Sequence, residues 1–144
     1  MDLKTLLRLK AAGGSPVVNL FDISTLEGKS GITISGDEFS GTAAKINAAG
    51  TLALTSSIPE GSTVTVSCRM RNEGDSSTEG NGLSVFLNYS DETTERMFYA
   101  ENADTVTKQF RHAFTTEKEI VGISFSYYAK GQNTWHVSGM KVTI

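Results

Sequence analysis

Residues 119–144 constrain the fold more than any other stretch of this sequence. Val121, Ile123, Phe125 and Tyr127 alternate with Gly122, Ser124, Ser126 and Tyr128, which gives one apolar face and one small or polar face. That period of two is the pattern of a half-buried antiparallel strand. A polar, Gly-containing loop follows, then a second strand in which Trp135 and Val137 hold one phase while Met140, Val142 and Ile144 hold the other. The change of phase predicts a bulge at Ser138-Gly139 that swaps the faces. Together the two strands read as a closing hairpin.

The rest of the chain repeats this grammar. Strand candidates cover 17–23, 32–35, 42–47, 51–56, 62–71, 83–90, 95–100 and 106–114. Turn residues separate them: Glu27-Gly28, Ser35-Gly36-Asp37, Ala49-Gly50, Pro59-Glu60-Gly61, Gly80-Asn81-Gly82 and Lys130-Gly131-Gln132. With 14 glycines against 2 prolines and no helices between the strands, the connections are those of antiparallel sheets. The 72–82 stretch has no apolar anchor, so it is expected to be an exposed, mobile loop. At 144 residues the chain is long enough for one core without metals or disulfides.

Residues 2–12 are the one helical segment predicted. Asp2 is placed to cap it, Leu3, Leu6 and Leu7 share a face, and Gly13-Gly14 ends it. A helix this short is marginal alone in water, so its leucines must lie on their own domain or on a partner, and both readings stay open. The domain division that follows is a helix and Gly-rich joint over 1–16 and an all-β body over 17–144.

The formal net charge of −3 provides no positive field for a polyphosphate backbone, which disfavours nucleic acid. No apolar run approaches the roughly 18 residues of a membrane span, so no membrane partner is expected. Arg8 and Lys10 interrupt the N-terminal leucines, so no secretory apolar region is expected there and synthesis in a cytoplasm is. The single cysteine, Cys68, is in phase with Val64, Val66 and Met70 and reads as a small buried hydrophobe with an inert thiol.

Catalysis finds no motif. His112 and His136 fall in different strands with no nucleophile or metal-ligand spacing around them. The carboxylates of Asp91, Glu92 and Glu95 and of Glu117 and Glu119 fall where turns are predicted, in water rather than in a shielded cleft. Neither a catalytic residue nor a cofactor is assigned.

In order, residues 40–46, 58–71, 85–91, 112–116 and the closing pair of strands resemble the galactose-binding-like jelly rolls, including carbohydrate-binding modules of the family 4/9 type. The resemblance implies an antiparallel jelly-roll β-sandwich. It also implies a calcium site built from acidic residues, but the last strand offers His136-Val137-Ser138-Gly139-Met140 without a carboxylate. Asp22 and Glu27 cannot alone supply the roughly six to eight oxygens the ion needs, so no metal is assigned. Similar sandwiches occur in bacteriophage fibre, tail and capsid-decoration proteins, often behind a short N-terminal attachment segment.

The alternation places Thr65, Ser67, Arg69 and Arg71 outward on one strand and Phe86 and Asn88 outward on another. The resemblance places these strands and that of Tyr128 in a single sheet with a concave outer surface. Arg69, Phe86, Asn88 and Tyr128 would then offer aromatic planes, a guanidinium and an amide to a glycan. Trp135 is either a further sugar platform or a wedge that closes one end of the core. The leading expectation is a non-catalytic component of a phage-like virion, oligomeric or docked to other virion proteins through Leu3, Leu6 and Leu7. The alternative is a stand-alone carbohydrate-binding module of an extracellular polysaccharide-degrading system.

Overall fold

The computed structural model of the protein describes residues 2–11, 18–27, 31–41, 45–48, 54–73, 82–101, 106–128 and 134–144. Helix α1 spans Leu3–Ala11. Asp2 caps it by accepting the Thr5 amide at 2.7 Å, which satisfies one of the four donors a helix start leaves unpaired. Leu3 packs against the core while Leu7 is half-buried. The Leu6 side chain, the joint at 13–14 and residues 74–81 lie outside the described residues; the described ends of the loop expected over 72–82, Asn72 and Gly82, are buried and in strands rather than exposed.

Nine strands form among the described residues: β1 Thr33–Ser35, β2 Glu38–Gly41, β3 Lys45–Ala48, β4 Thr63–Glu73, β5 Gly82–Tyr89, β6 Thr94–Glu101, β7 Lys108–Thr115, β8 Ile120–Tyr128 and β9 Thr134–Thr143. They make a five-stranded sheet ordered β1-β2-β9-β4-β7 and a four-stranded sheet ordered β3-β8-β5-β6, all pairs antiparallel. This is the all-β sandwich expected. On β4 the inward residues Val64, Val66, Cys68 and Met70 are buried and alternate with Thr65, Ser67, Arg69 and Arg71. The facing residues Leu83, Val85 and Leu87 of β5 and Ile123, Phe125 and Tyr127 of β8 complete the core. Burying a side chain of this size is worth roughly 1.5–3 kcal/mol, and the alternation means a one-residue slip would turn the whole set to water.

Several sequence expectations change. Strands β8 and β9 do not form a hairpin: β8 pairs β3 and β5, β9 pairs β2 and β4, and the two lie in different sheets. Alternation specifies a strand's faces but not its neighbour, which is why the inference failed. The described part of the 17–23 stretch, 18–23, does not form a strand. Leu20 and Phe21 make single ladder contacts to Val142 and Leu54, and Asp22 then caps a 3₁₀ turn over Ile23–Leu26 through the Ser24 amide at 3.0 Å. Of the strand expected over 42–47, residues 45–47 belong to β3 and 42–44 lie outside the described residues; β2 precedes it, and the described part of 51–56 contributes only the Leu54 bridge.

The bulge does form at Ser138-Gly139. The register against β4 shifts there, Gly139 has φ +60°, and both Val137 and Met140 are buried. Only glycine takes that backbone conformation without cost. Gly82 is required for a different reason: a Cβ there would meet the Ala100 carbonyl oxygen at 2.1 Å.

Candidate functional site

The outer surface of the four-stranded sheet is built from the residues that alternate with its core set. The register brings Ser84 of β5 opposite Ser126 of β8, Phe86 opposite Ser124, and Asn88 opposite Gly122. On the other side of β5, Ser84 faces Tyr99 of β6 and Phe86 faces Arg96 across a register shift that makes room for Met97. Tyr128 sits opposite Gly82 and Lys45, and Asn47 opposite Ser126.

The small residues form a sunken floor. Gly82, Gly122, Ser84 and Asn88 are buried although they alternate with the core set. The Asn88 Oδ1 accepts from the Ser124 hydroxyl at 3.1 Å, which sets the carboxamide's orientation on that floor. Phe86 stands half-buried in the middle. Tyr99, also half-buried, lies close to Gly82, so that a Cβ on residue 82 would come within 3.0 Å of its ring. The Arg96 guanidinium rests 4.8 Å from the Tyr99 ring centroid, a cation–π contact that holds an exposed cation against an aromatic plane. Two aromatic planes, an oriented amide and a guanidinium over a Gly/Ser floor can stack on a sugar ring and hydrogen-bond its hydroxyls.

Of the residues proposed from sequence, Phe86 and Asn88 share this surface, and the backbone register of Tyr128 belongs to it. The Tyr128 side chain lies outside the described residues. Arg69 does not join them: β4 belongs to the five-stranded sheet, so Arg69 faces outward on the opposite side of the sandwich. Trp135 is not a platform either. Its relative exposure is 0%, and its ring packs edge-on to Phe39 at 5.9 Å and beside Tyr127 at 5.9 Å. Tyr99 and Arg96 escaped the sequence reading, although the period-two pattern of 94–101 could have given their facing had that strand been assigned to the surface.

The outer surface of the five-stranded sheet is chemically different. Arg69 is 3.5 Å from Asp37 and its Nε donates to Ser138 at 3.3 Å. Next to it, His136 lies between two carboxylates, Nδ1 at 2.8 Å from Glu38 and Nε2 at 3.1 Å from Glu73, and Arg71 reaches Glu73 at 3.2 Å. The His136 hydrogen bond, followed by that of Arg71, holds the Glu73 carboxyl below its ordinary value. Cys68 lies beneath this surface, fully buried, and desolvation pushes its thiol up to about 12, so it remains protonated and unreactive.

No group of three or more potential metal ligands occurs among the described residues, and Asp22 serves as the cap of the 3₁₀ turn. No protein-family model and no curated protein matches the sequence. Solved structures do match in fold. A family 16 carbohydrate-binding module aligns with a TM-score of 0.56 at 12% identity over 86% of this chain and 99% of its own. A variant of a family 29 carbohydrate-binding module aligns at 0.53 and 10% identity over 90% and 92%. Another variant of that module, complexed with cellulohexaose, aligns at 0.54 and 11% identity over 89% of both chains.

Proposed function

We propose that this protein is a non-catalytic glycan-binding module and that the outer surface of the β3-β8-β5-β6 sheet is its ligand face. The observation that carries this reading is the placement of Phe86 and Tyr99 on a floor of Gly82, Ser84, Ser124 and Ser126, with the amide of Asn88 and the cation of Arg96 beside them. On helix α1, Leu3, Lys4, Leu7 and Arg8 line an apolar hollow with Pro59. The similarity in fold to carbohydrate-binding modules supports the reading.

Retention on immobilised polysaccharides, with ligands chosen from a glycan array, tests it. Phe86→Ala and Tyr99→Ala should each weaken retention about tenfold, since losing a stacked ring removes on the order of 1 kcal/mol or more. Arg69→Ala should leave retention unchanged. Retention that survives both aromatic changes removes this face from the account.

An attachment role for residues 1–16, in a phage-like particle or in an oligomer, is a second reading. The apolar hollow along Leu3 and Leu7 supports it, since a partner's apolar side chain would fill that hollow. Sizing of the full chain against a chain lacking residues 1–16 decides: a difference in assembly state supports attachment, and two monomers refute self-assembly.

A further inference from the structure

The inner side of β7 continues a buried pattern that the opposite sheet fails to cover. Phe110, His112 and Phe114 stand in register with Cys68, Val66 and Val64 of β4, which are 0% exposed. Phe110 and Phe114 are nevertheless only half-buried, and His112 is exposed. The reason is topological: β7 ends the five-stranded sheet and β6 ends the four-stranded one, so the two edges border an open cleft.

The cleft is lined on one side by Phe110, His112 and Phe114 and on the other by Leu87, Glu95 and Met97, with a volume of about 400 Å³. Past Glu95 and His112 it continues into a second hollow of about 520 Å³ beside Tyr89, Thr94 and Lys118. Both volumes fall in the range of roughly 300–1,000 Å³ typical of small-ligand sites.

The wall residues contact one another. His112 and Phe114 stack at 5.1 Å with only 16° between their planes, and Phe98 packs against Phe110 at 5.5 Å. Across from them the Tyr89 hydroxyl donates to Glu95 at 2.6 Å, and burial followed by that bond pushes Tyr89 up to about 12. At the far end the cleft is tied shut. Lys118 bridges to Asp91 at 2.8 Å and donates to Thr93 at 3.0 Å, and the Ser90 amide donates to Glu119 at 3.1 Å. The Lys118 Nζ also lies 5.3 Å from the Tyr89 ring.

We propose that this inter-edge cleft is a second saccharide site, separate from the face, which takes a short neutral saccharide between the His112/Phe114 plane and the Glu95 carboxylate. A ring of the stacked pair can meet the C–H face of a pyranose, and Glu95 and the threonines supply acceptors and donors for hydroxyls. The cleft is short, since Phe110 to Phe114 spans only about 13 Å at strand rise, which fits a sugar end rather than the middle of a long polysaccharide.

Amide shift mapping of the full chain with a panel of neutral mono- and disaccharides tests the proposal. The expected result is shifts at 94–95 and 109–118 that vanish in His112→Ala/Phe114→Ser and persist in Phe86→Ala/Tyr99→Ala. The reverse dependence, or no shift at 109–118 with any sugar of the panel, overturns it. Failure of the face reading is read separately, from residues 82–86 and 122–126 in titrations with longer glycans. The same loss of response in the His112→Ala single variant, with strand-like β7 shifts in the absence of ligand, shows that the loss does not come from unfolding of the edge strand.

Discussion

The two outer surfaces of this sandwich come from the same period-two alternation, yet they differ in what remains available to a ligand. On the five-stranded sheet, polar groups satisfy one another: Asp37 holds Arg69, and Glu38, His136, Glu73 and Arg71 form a chain across β2, β9 and β4. On the four-stranded sheet the central positions are glycine and serine, and the large groups, Phe86 and Tyr99, stand half-buried among them, with Arg96 over the Tyr99 ring. A surface whose charges already pair offers little to a neutral ligand without breaking those pairs. A floor of small residues under aromatic planes loses only water when a sugar ring settles on it.

The difference can be broken most forcefully at the glycines. Gly82→Ala puts a methyl group against the Ala100 backbone, where no side-chain rotation relieves it. It should cost about 3 kcal/mol or more in a denaturant titration, since overpacking typically costs 1–3 kcal/mol and a backbone obstacle lies at the upper end. Gly139→Ala meets instead the movable end of Arg69 at 2.8 Å in a positive-φ conformation, and about 1–2 kcal/mol is expected.

The next largest contrast is in binding. Phe86→Ala and Tyr99→Ala should lower glycan retention about tenfold each. Both should unfold within roughly 1 kcal/mol of the parent chain, because neither ring is in the core. Arg69→Ala on the other surface should change neither quantity measurably, its ion pair being exposed.

A smaller effect separates the surfaces by pH. Glu73 is held below its ordinary value of 4.5 by His136 and Arg71. A carboxylate depressed in the folded state contributes stability above its unfolded pKa and loses it as pH falls through the folded value. The Tm difference between the parent chain and Glu73→Gln should therefore be present near about pH 6 and shrink below about pH 4. A difference that grows on acidification would show that the His136 chain does not stabilise the sheet.

The least effect is expected at Cys68. Its thiol, pushed up to about 12 and fully buried, should resist alkylation at about pH 8 until the chain unfolds. Rapid labelling of the native protein would mean that the five-stranded sheet opens locally far more often than its packing implies.

What the sequence made legible was facing. The buried sets of β4, β5 and β8, the phase change at Gly139 and the Asp2 cap all follow from local periodicity and turn chemistry. What it hid was partnership. Which strands lie side by side is decided by packing over the whole chain. Periodicity alone therefore suggests a β8–β9 hairpin that does not form, joins Arg69 to a face on the far side, and leaves out Tyr99 and Arg96. Trp135 shows the same limit, since a tryptophan beside a polar loop has one sequence signature whether it is a platform or, as here, part of the core.

The most direct test of the central claim is amide shift mapping of the protein with a long glycan selected by array. The account predicts shifts at 82–86, 96–99 and 122–126 that disappear in Phe86→Ala/Tyr99→Ala. Shifts centred on 65–71 and 136–141, or retention of no glycan at all, would contradict it.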